Sequence, residues 1–238
     1  MTFMTLLWAI AFGICPQRPS HSLFFAGQQM PIEARMAGIF GGFVLTTLII
    51  IGQGRGRAWN TPGRTATLVL LGFIALLGLD GLNAFAYDVG LPHLYTPFLA
   101  LRLATGLLTG LAAAAFVVPA FNSTVWQTGP DAAPLDRPAH LLAALVPVGI
   151  YLIAGLSGWP PLLYPLSILA VIGVPALMGA IGTVVVTSLA GRANRATGWR
   201  EALPLMLGGL LLAVLMLAAF SAVRYGLFGA GPLEMPMR

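Results

Sequence analysis

Between residues 35 and 224 the chain repeats one pattern six times, a long apolar run followed by a short polar connection. The runs cover about 35–52, 66–87, 98–120, 139–157, 163–190 and 202–224. Crossing the hydrocarbon core of a bilayer takes roughly 20 residues of helix. No water is available there to satisfy an open backbone, so each run has to close its own hydrogen bonds. The pattern predicts an all-α, polytopic integral membrane helical bundle, a single membrane domain over 1–238. A water-soluble fold fails on composition. The chain is 58% hydrophobic and 8% charged, with mean hydropathy +0.89, where a soluble domain carries about 25% charged residues. Too few polar side chains remain to cover a surface in water.

Residues 2–15 form a further apolar segment, a short N-terminal helix. At 1.5 Å per residue it is short for a crossing, so it is either a seventh span or a half-buried anchor. It resembles a secretory h-region, but no basic residues precede it and no small-x-small cleavage site follows; it is expected to be retained. Pro147 and Pro175 mark kinks within the fourth and fifth runs. Pro119 falls in the last turn of the third and is expected to help end it. The tail "GLFGAGPLEMPMR" reads as a segment that a partner would have to hold.

The net charge of +5 comes from arginine, for the chain has no lysine. These arginines sit mostly in short loops beside the runs, which argues against a nucleic-acid partner and for a lipid interface. Arg55, Arg57 and Arg64 lie in loop 53–65, and Arg192, Arg195 and Arg200 in loop 191–200. Six consecutive spans put both loops on one side, cytoplasmic by the positive-inside rule. Loop 121–138, with Arg137, Asp131 and Asp136, joins them. The outer side receives residues 16–34, the 88–97 loop, the 158–162 turn and the tail. The expected location is a bacterial cytoplasmic membrane, crossed many times. Trp59, Trp126, Trp159 and Trp199 lie near span ends, as an interfacial aromatic belt requires.

Two charges fall well inside spans, Asp80 and Arg102. They reach similar depth on helices joined by a short loop, and an unpaired charge in the membrane is costly. They are therefore expected to pair, either as a lock between helices or as a substrate or proton site. Asn83, one turn from Asp80, could join them. Glu33 and Arg35 start the first long run, where Glu33 complements the positive end of the helix dipole. His21 and His93 belong to outer segments, so His21, Glu33, Arg35, Asp80, Asn83, His93 and Arg102 gather on one face of the membrane. His140 lies on the other. Gly38-x-x-x-Gly42 and Gly106-x-x-x-Gly110 have the spacing that lets helix backbones approach closely in lipid, although 29 glycines make a chance pair easy.

The most unusual stretch is "CPQRPSHSLFFAGQQMPIEARMAG", residues 15–38. It resembles a family of bacterial and archaeal membrane proteins, the domain of unknown function numbered twenty eighty-five. That family's pattern runs Cys-His-Gln-x-Pro-x-Arg-Ser-Phe-Phe, Gly-x-Gln-x-Pro and Cys-x-Arg-Cys-x-Gly. Cys15, Gln17, Pro19, Ser22 and Phe24 fit its first part, Gly27, Gln29 and Pro31 its second, Arg35 and Gly38 its third. A later aspartate-glycine and Arg-x-x-Thr-Gly are similar to Asp80-Gly81 and Arg102, Thr105 and Gly106. The resemblance covers residues 15 to about 110. It implies soft ligands of the kind that hold zinc or undergo thiol chemistry, but here Pro16, Glu33 and Met36 stand in three ligand positions and only Cys15 remains. The chain reads as a degenerate member that keeps the frame of a site without its ligands, so neither a metal nor another cofactor is expected.

No Ser-His-Asp, HExxH or phosphate-loop motif is present. The leading expectation is a non-catalytic membrane subunit, not an enzyme, that stabilises a larger assembly of integral membrane subunits and lipid. A bacterial electron-transport complex, quinol-oxidising or photosynthetic, is the partner that comes first. Transport of a small solute or proton around Asp80 and Arg102 is the alternative. An intramembrane enzyme or metal protein is the third reading.

Overall fold

A computed structural model describes residues 3–231. It contains six helices long and apolar enough to cross a membrane: α2 (Ala34–Gly52), α3 (Arg64–Asp88), α4 (Leu99–Val125), α5 (Pro138–Leu156), α6 (Leu163–Leu189) and α7 (Trp199–Phe228). The N-terminal apolar segment becomes α1 (Phe3–Phe12), about 15 Å long at the helical rise. That is about half a hydrocarbon core, shorter than a helical crossing requires. The tail beyond Gly231, with the expectation attached to it, lies outside the described residues.

The centre of the bundle is the crossing of α2 and α4. Here the two glycine pairs meet. A Cβ at Gly38 would lie 2.6 Å from the Leu103 carbonyl oxygen, and one at Gly42 would lie 2.5 Å from that of Leu107. Across the interface, Gly106 faces the Arg35 carbonyl and Gly110 that of Ile39, with no room for a methyl group. Bare backbone on both sides replaces side-chain packing where lipid supplies no hydrophobic drive. The same device recurs at two places the spacing did not reveal. Gly173 of α6 touches the Phe40 backbone, and Gly182 of α6 meets Gly209 of α7. The latter pair sits on different helices far apart in sequence, so no local motif marks it.

One expectation is corrected here. Pro119 does not end the third span, since α4 continues through it to Val125. A proline inside a membrane helix is tolerated where neighbouring helices and local adjustments satisfy the carbonyl it frees. The segment between α1 and α2, expected to keep the frame of a site, has a regular structure of its own. It folds as a hairpin, β1 (Ser22–Phe25) antiparallel to β2 (Gln28–Glu33), with Phe25 opposite Gln28 and Ser22 opposite Glu33. Ala26 and Gly27 both adopt positive φ, +47° and +80°, as a tight two-residue hairpin turn demands. Leu23, Phe25, Met30 and Ile32 are all buried, so the hairpin is a plug on the helix ends rather than a flap. The end of the bundle it covers is called the hairpin end below, and the opposite one the arginine-loop end.

Candidate functional site: the hairpin end

The site starts at the turn after α1. Gln17 adopts φ +59°, unusual for a residue with a Cβ, and its side chain fixes it there. Its Nε2 donates to the carbonyls of Trp8 and Pro31, at 3.0 Å each. Gln29 then donates to the Gln17 carbonyl and to Ser22 Oγ, also at 3.0 Å. From the far end of the chain, Arg224 of α7 donates to the carbonyls of Phe12, Cys15 and Pro16 and lies over the Phe12 ring at 3.9 Å. Most of these bonds satisfy backbone carbonyls that would otherwise be buried unpaired, and together they tie α1, the hairpin and α7 to one another.

On this frame the charges are sorted. Glu33 sits at the N-cap of α2, but its carboxylate turns to Arg18, whose backbone N–H and Nε reach Oε1 at 3.0 and 3.2 Å. Arg18 also bridges to Asp88 at the end of α3, 3.2 Å away. His21 lies between these carboxylates, its ring nitrogens 3.7 Å from Glu33 and 3.9 Å from Asp88. Burial opposes ionisation of Glu33, yet His21 and the Arg18 N–H and guanidinium together outweigh it and hold the carboxyl below its ordinary range. Cys15 is 1% exposed, and its sulfur accepts the Glu33 N–H at 3.2 Å. Burial first, then the Glu33 charge, push its thiol up to about 12. A thiol so placed holds its proton and is a poor nucleophile or ligand.

Asp80 and Arg102 do not pair. Asp80, 2% exposed, takes Arg35 of α2 as its ion-pair partner and accepts the Tyr95 hydroxyl at 2.8 Å. The reason is the glycine crossing. Gly106 and Gly110 bring α2 against α4, and the first turn of α2 carries Arg35 to α3. Arg102 lies one turn before Gly106 and so on the same face of α4. It looks toward the start of α2, away from α3. Asn83 serves the loop instead of the pair, accepting the N–H of Leu94 at 2.7 Å and donating to the Tyr95 carbonyl at 2.8 Å. It thereby positions the Tyr95 hydroxyl over Asp80. His93 stands apart on the surface, packed edge-on against Tyr87 at 5.0 Å.

His21, Glu33, Arg35 and Arg102 therefore line one small cavity of about 150 Å³, with Arg18, Pro16 and Met36. Asp80 belongs to it only through Arg35. Pro16, Glu33 and Met36, the three positions where the resemblance would place ligands, all line this cavity. Among the described residues no cluster of three His, Cys, Asp or Glu side chains has metal-binding geometry. Arg18, Asp88, Tyr95 and Arg224 carried no signal in the sequence, and Gln17 was marked only by the family resemblance. Arg224 is the last residue of an apolar run and Arg18 belongs to a loop, and neither position distinguishes a bound arginine from a solvated one.

One curated relative, "NADH-quinone oxidoreductase subunit 13" of Thermus thermophilus, is 38% identical over 87 residues. The aligned stretch covers 35% of this chain and 18% of that protein, so the chain spans less than a fifth of the relative it matches. No solved structure matches. Residues 15–116 match the family described as "Predicted membrane protein (DUF2085)", which places the hairpin, the cavity and the helices α2 and α3 with most of α4 in the family's part of the molecule and leaves α5–α7 outside it.

Proposed function

We propose that the chain is a non-catalytic integral membrane subunit that stabilises a larger membrane assembly. The observation that carries this reading is the open side of α3. This helix packs chiefly on α4 and turns Gly72, Ala75 and Gly78 outward. Nothing lies within 4 Å of where a Cβ would stand on either glycine. Lipid tails need no such bare backbone, whereas a neighbouring helix uses it for close approach. The inert Cys15 and the neutralised Asp80 agree with a role without chemistry. They also weaken transport around Asp80 and Arg102, which do not form one site. The likeness to an oxidoreductase subunit makes an electron-transport complex of a bacterial cytoplasmic membrane the first assembly to examine.

The test is purification from native membranes in mild detergent with the α3 face intact or blocked. Wild type is expected to bring stoichiometric membrane partners, and Gly72→Ile with Gly78→Ile to lose them while remaining folded. A wild-type chain that purifies alone, or one that drives solute flux in proteoliposomes, would end the subunit reading. Arg57→Cys and Arg195→Cys test the orientation. Labelling reagent should reach them only after the cells are permeabilised, since the one native thiol is buried.

A further inference from the structure

Among the described residues of the hairpin end, four guanidiniums stand against three carboxylates, Glu33, Asp80 and Asp88. Their partnering is uneven. Arg18 takes Glu33 and Asp88, and Arg35 takes Asp80. Arg224 is consumed by carbonyls. Arg102 is left over. It is 5% exposed and lines the cavity, yet its guanidinium makes no hydrogen bond or ion pair with any described residue. Burying a guanidinium without an acceptor is costly, and a helical bundle has no need of one there. Around the same cavity Arg35 Nε also lacks an acceptor, and His21 Nδ1 makes only the long 3.7 Å approach to Glu33. The unpaired Arg102 and the free Arg35 Nε thus meet at one hollow.

We propose that this cavity binds a phosphate-type oxyanion, presented either as free phosphate or as the phosphate of a lipid headgroup. Arg102 supplies the planar fork that suits such oxygens, and Arg35 Nε and His21 complete the donor set. Glu33 faces the same hollow, but its Oε1 already accepts two bonds from Arg18. The volume of about 150 Å³ corresponds to about five waters at ~30 Å³ each, enough for the anion with part of its hydration. Arg18 and Arg35 keep 18% and 22% of their side chains exposed, so the cavity is approached from the hairpin end. This is the depth of lipid headgroups.

The experiment has two arms on the purified full chain. Delipidated protein in non-ionic detergent is titrated calorimetrically with inorganic phosphate. Protein in nanodiscs of phosphatidylcholine, with and without phosphatidylglycerol, is analysed for retained lipid by native mass spectrometry. One phosphate bound identifies a free anion as the source, and one phosphatidylglycerol retained without phosphate binding identifies a headgroup. Arg102→Gln should weaken either at least about tenfold, the loss of one charge-assisted contact, while Arg55→Gln at the opposite end leaves it unchanged. Should Arg102→Gln fail to fold, Met36→Phe narrows the cavity without altering a charge and should weaken binding similarly. No binding in either arm, or binding undiminished by the substitution that folds, overturns the site.

Discussion

The two ends of the bundle set their arginines around different cavities. At the hairpin end, guanidiniums are buried and tied to carboxylates and carbonyls around a polar cavity of about 150 Å³. At the arginine-loop end, Arg55 is equally shielded and tied to Asp136 and to the Ala133 carbonyl, whereas Arg57 stays at the surface and leans on a ring. Arg57 lies 3.7 Å above Trp126, which itself packs edge-on against Trp199. Arg55 pairs with Asp136 at 3.0 Å, where the aspartate side chain is 32% exposed. Asn122 stitches this end by donating to the carbonyls of Gly56 and Ala58, and the cavity beneath, about 540 Å³, is almost wholly apolar in its lining. Trp126 is 3% exposed, so it is no member of an interfacial belt. It is the centre of a small cluster with Val125, Ala196 and Ala202. Trp159 and Trp199 remain exposed as a belt requires. The difference teaches that one residue type can wall a polar cavity at one end and cap an apolar one at the other, according to what lies beneath it.

Breaking the scaffold that both ends share should cost most. Gly106→Leu places a branched side chain against the Arg35 carbonyl, in a contact that cannot open without separating α2 from α4. The expected loss is about 3 kcal/mol or more, at the upper end of overpacking, read as a collapse of the thermal transition in detergent. A variant that keeps its transition would show the crossing to be dispensable.

A direct comparison of the ends comes next. Asp80→Asn leaves Arg35 without its buried partner and should cost about 3–5 kcal/mol. Asp136→Asn at the exposed pair should cost no more than about 1 kcal/mol. Equal losses in denaturant titration would erase the distinction drawn between the two ends.

The smallest effect is a pH dependence confined to the hairpin end. Folding holds the Glu33 carboxyl below its ordinary value, so its contribution to stability is full above the unfolded pKa, roughly 4.3, and is lost as pH falls through the lower folded value. Wild type should lose stability below about pH 4, and Glu33→Gln should be lower at neutral pH with a flatter acid limb. An unchanged acid limb in the variant would assign the loss to another carboxyl.

Much of the molecule could be read from the chain. Apolar runs of fixed length can be nothing but helices in a bilayer, so their number, type and order followed from residues alone, and Gly38, Gly42, Gly106 and Gly110 fall where their spacing had placed them. The gathering of His21, Glu33, Arg35 and Arg102 at one end followed from alternation of crossings. Who pairs with whom did not. Sequence neighbours suggested Asp80 with Arg102, because a short loop joins their helices, but pairing depends on rotation about each helix axis and on which third helix intrudes. A bare glycine seam admits α2, delivers Arg35 to Asp80 and turns Arg102 into the hollow. The hairpin was equally invisible, since four- and six-residue strands leave too little periodicity to separate them from a loop. Composition and period determined the elements; close backbone contact between α2 and α4 decided the site, because it alone sets which face of each helix looks inward.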